Sequence, residues 1–324
     1  MNNHFYAKSL LVLLCVILTV SSVAQEATKT MANVLSSSSL EEEHALRLKT
    51  KLITLNVSVI DAAGKPIVGL NRNRFEVYED GVRQTLDYFS LADSPASVVV
   101  VFDRSSSMQL LLPRSRQAFA AFVQSSHSAD EYSLITFDQK PEFVMEQVNG
   151  ETLLRRLTVE RADGDTALYD AIALGLKKLQ QAKYPRRTLL IFSDGVDTSS
   201  RTSYSTLMTA VKEADCQIFF VGSADIQSAG CGRFCQMQTF NRMHDLANVT
   251  GGQAFFLVRP QAIETTITEI ALLLRQQYSL GYLPTNEARK GKWRKIDVKL
   301  TSAEGKSRVL ARKGYYDRLE ANIE

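Results

Sequence analysis

The sequence predicts an α/β fold: a doubly wound, mostly parallel six-stranded sheet inserted into a β-sandwich that the two flanks of the chain build together. Three observations predict it. From Ser97 onward, apolar runs of strand length alternate with segments of helical period. One run, Val98-Val99-Val100-Val101-Phe102, is apolar without a break. It cannot face water on either side, so it reads as a central parallel strand. Both flanks of this region alternate with period two, the mark of half-buried strands, and neither holds enough strands to fold by itself.

A chain of 324 residues is long enough for one large domain and a smaller one. Hydrophobic residues make up 45% and charged residues 23%, ordinary values for a folded chain. The net charge is +3, one less if Lys8 is removed with the N-terminal segment. A balance so near neutral argues against nucleic acid as the main partner. Residues 1–24 read as an export signal: Lys8 gives the positive start, Ser9 to Val20 the apolar run, and Ser22-Val23-Ala24 a small-residue cleavage pattern. The run is short for a membrane span, an uncleaved anchor being the alternative reading. No other stretch is long and apolar enough to cross, so the mature chain is expected to be exported, periplasmic or extracellular, without a membrane span. Residues 25–50, with Ser36 to Ser39 and Glu41-Glu42-Glu43, read as a flexible leader.

The N-terminal part of the sandwich is expected over 51–95. Leu55, Val57 and Val59 alternate with Thr54, Asn56 and Ser58. Asp61 to Pro66 is a turn, Phe75 to Glu79 a strand, and Asp80-Gly81 a hairpin turn into Arg83 to Phe89. The α/β domain follows over 96–277. Its expected strands are Ser97–Phe102, Tyr132–Phe137, Phe143–Gln147, Thr188–Phe192, Gln217–Val221 and Gln253–Val258. The link from Asp138 to Glu142 is too short for a crossover helix, so the third strand should be an antiparallel edge. The clearest helix is Ala167 to Lys183, with Leu168, Ala171, Ile172, Gly175, Leu176 and Leu179 on one stripe. A last helix follows Ile263, Ile267, Ile270 and Leu274. After Gln277, strands Tyr278–Leu283, Lys295–Leu300 and Val309–Tyr315 should complete the sandwich over 278–318, with 319–324 a tail. The basic residues here, Arg289, Lys290, Lys292, Arg294, Lys295, Arg312 and Lys313, read as solvated strand faces and edge protection, a polyanion-binding surface being the alternative.

Three cysteines lie beyond the signal. Cys216 precedes the strand Gln217–Val221, whereas Cys231 and Cys235 lie past its far end. Five extended residues span about 17 Å, which points to a Cys231–Cys235 bridge and a buried free Cys216. Zinc with His244 has little support, because the spacing matches no common finger.

The candidate site begins where the central strand ends. Asp103, Ser105 and Ser107 stand at alternating positions there, and open α/β sheets place ligands outside those strand ends. Thr166 in Asp163-Gly164-Asp165-Thr166 and Asp194 in Ser193-Asp194-Gly195 supply further oxygens to the same rim. Such short, hard oxygen donors suit an octahedral divalent cation, Mg²⁺ or Mn²⁺. Each piece also has a plainer reading: Thr166 and Ser107 as helix caps, and Ser193-Asp194-Gly195 as a turn.

The spacing Asp103-x-Ser105-x-Ser107, then Gly164-Asp165-Thr166-Ala167-Leu168-Tyr169-Asp170-Ala171, then Ser193-Asp194-Gly195, resembles the metal-ion-dependent adhesion site (MIDAS) of von Willebrand factor A domains. The likeness covers roughly Ala96 to Gln277. The flanking Arg74 to Gly81, Tyr278 to Tyr282 and Arg312 to Tyr316 are similar to the exported bacterial subfamily described as von Willebrand factor A-related acidobacterial proteins. Ser106 stands where the family commonly has Gly, and the Cys231–Cys235 loop is not a family feature. The resemblance implies Ser105, Ser107 and Thr166 on the metal, Asp103 and Asp194 holding it partly through water, and an open position for a partner's Asp or Glu carboxylate. Protein–protein binding, in adhesion or assembly, is the function it implies. A scaffold or sensor that binds through the sandwich is the second reading. An enzyme is not expected: no Gly-x-Ser-x-Gly or Ser-x-x-Lys occurs, and Gly305-Lys306-Ser307 lacks the first glycine of a phosphate loop. Metal-assisted hydrolysis at Asp103 and Asp194 is the remaining catalytic alternative.

Overall fold

The computed structural model describes residues 52–91, 93–105, 108, 112–157, 164–223, 232–257, 259, 262–285, 291–301 and 306–317. The export signal over 1–24, the leader over 25–50, Ser107, Cys231 and the tail over 319–324 lie outside the described residues.

The N-terminal flank gives β1 (Ile53–Ile60), β2 (Phe75–Glu79), β3 (Val82–Gln84) and β4 (Leu86–Leu91). The α/β region gives β5 (Ala96–Asp103), α1 (Leu112–Ser125), β6 (Glu131–Phe137), β7 (Pro141–Val148), α2 (Gly150–Arg156) and α3 (Leu168–Leu179). It continues with β8 (Arg186–Phe192), α4 (Tyr204–Glu213), β9 (Gln217–Ser223), α5 (Arg233–Thr250), β10 (Gln253–Leu257) and α6 (Ile263–Arg275). The C-terminal flank adds β11 (Tyr278–Tyr282), β12 (Trp293–Leu300), β13 (Arg308–Leu310) and β14 (Gly314–Tyr316).

The six-stranded sheet runs β10-β9-β8-β5-β6-β7, parallel except for the antiparallel edge β7. β5 is central and every one of its residues is buried. Val98, Val100 and Phe102 enter the core beneath α1 and α6, while Val99 and Val101 enter the core beneath α3, α4 and α5. Two apolar layers therefore require a strand with no polar face, which is why the run is unbroken. A Cβ on Gly175 of α3 would lie 2.5 Å from Leu189 Cδ1, so the glycine lets this helix settle onto the sheet.

The flanks interleave as expected. One four-stranded sheet is β13-β1-β11-β4 and the other β14-β12-β2-β3, each mixing strands from both ends of the chain. Between them lies a single core containing Leu55, Val57, Val77, Leu280, Ile296 and Val298. Two expected strands are corrected. Arg83–Phe89 and Val309–Tyr315 are each two short strands in different sheets, because the chain crosses from one layer to the other at Thr85 and over 311–313. Burial alternates through the first corner, at Gln84, Thr85 and Leu86, which hides it, whereas 311–313 breaks the period. Gly314 allows the second crossing, since a Cβ there would lie 2.3 Å from the Arg294 carbonyl oxygen.

Arg294 is a further correction. It is not solvated but only 2% exposed, its guanidinium 3.2 Å from the carboxylate of Glu79, which is 0% exposed. The other Glu79 oxygen accepts hydrogen bonds from the Tyr282 hydroxyl at 2.6 Å and the Tyr315 hydroxyl at 3.0 Å. Tyr282 belongs to one sheet and Glu79, Tyr315 and Arg294 to the other, so the charged group pins the two layers in register.

The sandwich sits against the edge of the six-stranded sheet where the parallel strands begin. The Ser58 hydroxyl donates to the Leu273 carbonyl of α6 at 3.3 Å, and the Lys313 amide donates to the Val249 carbonyl at 2.9 Å. Arg186, at the start of β8, donates to the carbonyls of Ser94 and Gln277, both at 3.3 Å. It thereby ties together the two places where the chain passes between sandwich and insert. Among the described residues, the opposite edge, at the strand C-termini, carries no sandwich strand.

Replacing Arg294 with Met should cost about 3–5 kcal/mol, because Glu79 is then left charged and uncompensated in the core. The double variant E79Q/R294M should recover most of that loss. Urea unfolding of both variants and the wild type measures both effects.

Candidate functional site

β5 and β8 are neighbours, and the chain leaves β5 toward β6 on one side before returning to build β8 on the other. This is the topological switch point, where the crevice of an open α/β sheet lies. Asp103 closes β5, and Ser193 and Asp194 follow β8 directly.

Asp103 is wholly buried. Its Oδ1 accepts from the Ser105 amide at 2.8 Å, and its Oδ2 from the Ser193 hydroxyl at 2.7 Å. The Ser105 hydroxyl also bonds this carboxyl. Burial is the main cause that pushes Asp103 up to about 7, and the charge of Asp194 adds to it; the hydrogen bonds from Ser105 and Ser193 oppose it. Asp194 is buried too, and its Oδ1 accepts from the Val196 amide at 3.0 Å, closing a turn through Gly195 at φ +85°. That geometry agrees with the turn reading, but it also keeps a second buried carboxylate near enough for its charge to act on the first.

Thr166 reaches the same rim from a separate segment. Its amide donates to the Thr198 hydroxyl at 2.8 Å, and its carbonyl accepts from the amides of Thr198 and Ser199 at 2.9 and 3.1 Å. The next residue, Ala167, donates its amide to the Asp138 carbonyl at 2.7 Å, just past the end of β6. Thr166 is therefore laced to the loops after both β6 and β8. It does not cap α3. The N-cap position is Ala167, with no side-chain cap, and the helix amides of Tyr169 and Asp170 instead donate to Asp197 Oδ1 and Ser200 Oγ, each at 3.1 Å. Asp170 answers by accepting from the amides of Arg201 and Thr202 at 3.0 and 2.9 Å.

Asp103, Ser105, Thr166 and Asp194 thus lie at one end of the sheet, and Ser107 falls outside the described residues. Among the described residues no three His, Cys, Asp or Glu side chains gather as a metal cage. The donors here are two buried carboxylates and hydroxyls, all hard oxygens, and the mutual repulsion of the carboxylates is what a bound cation cancels. Sequence reasoning missed Ser193 as a partner of Asp103, and Asp197 and Ser200 as the distant caps of α3. The polar run Asp194 to Ser200 after an apolar strand was the only signal for them. It missed Gly222 of β9 as well, where a Cβ would lie 2.1 Å from the Ser193 carbonyl oxygen.

α5 begins past the same rim, and its Thr239 and Met243 pack against Gly195. Cys235 on its first turn is disulfide-bonded. Cys216 is free, half-buried rather than buried, with its thiol pushed up to about 12 by desolvation. His244 sets its ring edge on Phe256, 5.6 Å between centroids.

The family model described as VWA domain containing CoxE-like protein matches residues 82–247, just over half of the chain. No curated protein matches the sequence. Solved structures similar to it include a von Willebrand factor type A protein from Catenulispora acidiphila, at 10% identity and TM-score 0.47, covering 83% of this chain and 74% of that one. The PilB minor pilin of Streptococcus sanguinis matches at 13% identity and TM-score 0.44, covering 57% and 62%. The pilus adhesin SpaC of Lactobacillus rhamnosus GG matches at 11% and 0.46, covering 77% and 48%. The chain spans less than two thirds of PilB and about half of SpaC. Domains of the matched family are commonly protein-interaction modules, and no described helix is long and apolar enough to cross a membrane. With a doubly wound sheet, a polar switch-point rim and a family model covering half its length, this chain belongs to the von Willebrand factor A domain family.

Proposed function

We propose that this chain is an exported protein-binding module, serving adhesion or assembly, that takes Mg²⁺ or Mn²⁺ at Asp103, Ser105, Ser107, Thr166 and Asp194. It binds its partner through an Asp or Glu carboxylate that completes the ion's coordination, and it is not an enzyme. The observation that carries this reading is the wholly buried Asp103 facing the charge of buried Asp194. Two such groups in one crevice raise each other's free energy unless a proton or a cation neutralises them.

When bound, the ion supplies positive charge and a coordination position for a guest oxygen. The chain's own residues do the rest. With neutral hydroxyls of Ser105, Ser107 and Thr166 as the direct donors and the two carboxylates acting partly through water, the ion would have little directly bound negative charge, so a guest carboxylate would be attracted to it. Asp103 and Asp194 provide the anionic attraction that keeps the ion in place. The loops carrying Thr166 and Asp194 are bonded to each other through Thr198 and Ser199, which presets the spacing of the donors.

Isothermal titration calorimetry should detect Mg²⁺ or Mn²⁺ binding by the wild type and none by Asp103→Ala or Asp194→Ala. Capture of a partner from the envelope fraction should need Mg²⁺ and be lost with EDTA. Partner capture that survives both EDTA and Asp103→Ala would move the interface to the sandwich.

Without metal, stability should depend on pH with a defined sign. Asp103 ionises at an ordinary 3.8 when unfolded and near 7 when folded. Between those values only the folded state holds the proton, so unfolding free energy falls as pH rises through the window and stays low above it. The loss should be on the order of a few kcal/mol, should flatten in Asp103→Asn, and should be offset by added Mg²⁺. Thermal melts across this range, with and without the ion, provide the measurement.

A further inference from the structure

We infer that Ser193 is the positioning residue of this site: its hydroxyl orients the Asp103 carboxylate and thereby sets the metal affinity. The inference rests on the metal reading above. Ser193 is 1% exposed. A hydroxyl has one proton to give, and here its direction is fixed. The Gly195 amide donates to Ser193 Oγ at 3.0 Å, which turns the hydroxyl proton toward Asp103 Oδ2 at 2.7 Å. The Ser105 amide holds the other oxygen at 2.8 Å. The carboxylate is thus gripped at both ends by groups from different strands, and its plane cannot rotate without breaking one of them.

The grip depends on where the Ser193 backbone sits, and β9 determines that. The Ser193 amide donates to the Val221 carbonyl at 3.2 Å. The next residue of β9, Gly222, leaves room for the Ser193 carbonyl, which a Cβ would approach to 2.1 Å. A side chain at Gly222 must push Ser193 away, and Ser193 then pulls on Asp103. The chain of contact runs Gly222, Ser193, Asp103, and neither Gly222 nor Ser193 is among the proposed ligands. Residues that hold metal ligands through hydrogen bonds typically change affinity by roughly 10- to 100-fold when removed.

The test uses the whole protein and the metal alone. Mg²⁺ titration calorimetry is run on the wild type, Ser193→Ala, Ser193→Thr and Gly222→Ala, with circular dichroism to confirm folding. Amide exchange at Ser105 and Gly195 is followed in the metal-free protein. Ser193→Ala should weaken Mg²⁺ binding roughly 10- to 100-fold and speed exchange at both amides. Ser193→Thr, which keeps the hydroxyl, should bind close to wild type, and Gly222→Ala should follow Ser193→Ala. Wild-type affinity in Ser193→Ala overturns the inference and leaves the site reading standing. Weakened binding with unchanged Ser105 exchange, or equal weakening in Ser193→Thr, overturns it too, because the effect then does not pass through the hydroxyl. A wild type that takes up no Mg²⁺ or Mn²⁺, yet shows faster Ser105 exchange in Ser193→Ala, removes the site reading and keeps Ser193 as the group that orients Asp103.

Discussion

A strand buried on both faces has to be apolar through its middle, and β5 is polar only toward its ends, at Ser97 where it enters the sheet and at Asp103 where it leaves. That constraint on β5 organises the insert. It forces the helices onto two layers, places β6 and β8 on either side, and puts the first available polar side chain, Asp103, at the mouth of the crevice. The carboxylate gains no exposure from standing at the strand end. It is enclosed by the loops after β6 and β8, so its charge must be met by hydrogen bonds, a proton or a cation. The Ser105 amide and the Ser193 hydroxyl meet part of it.

Much of this was legible in the sequence because burial on two faces leaves an unmistakable composition. The unbroken valines fixed β5, the short Asp138–Glu142 link gave the antiparallel edge β7, and the unpartnered alternation at both ends gave the interleaved sandwich. The polar segments after β5, after β8 and before α3 pointed to one rim, and the structure puts Asp103, Ser105, Thr166 and Asp194 there. What stayed hidden shares one cause: it depends on neighbours remote in sequence. Arg294 sits beside lysines and reads as solvated by residue type, although it is in phase with the buried Ile296 and Val298; Glu79 on another strand is what lets a charged group occupy that core position. Thr166 has the residue type of a helix cap, yet the cap comes from Asp197 and Ser200 after β8. The corner at Thr85 preserves alternation, so nothing local marks that change of layer, whereas the one at 311–313 breaks the period just before Gly314.

Two buried charged clusters among the described residues are solved in opposite ways. In the sandwich, Glu79 is matched by Arg294 and two tyrosine hydroxyls, so the charge is closed off and serves registry. At the rim, Asp103 and Asp194 are a pair of like sign, and the hydrogen bonds around them only moderate the repulsion. A cluster of mixed sign stabilises a fold from within. A cluster of one sign needs a proton or a cation to complete it, and under the proposed function this difference separates a structural group from a binding group in the same chain.

The interleaving of the flanks bears on how the molecule is made. Val57 pairs with Tyr278, and Val77 with Val298, across the entire insert. As the chain emerges from the ribosome, β1 to β4 must wait, edges open, until the whole α/β domain has been synthesised. Open edges and long-range pairing of this kind slow folding and invite association with other chains. The insert can form its own core first and, by drawing Ser94 and Gln277 together through Arg186, deliver the late strands to the early ones. A nascent chain interrupted within the insert would hold half a sandwich with no second half to meet.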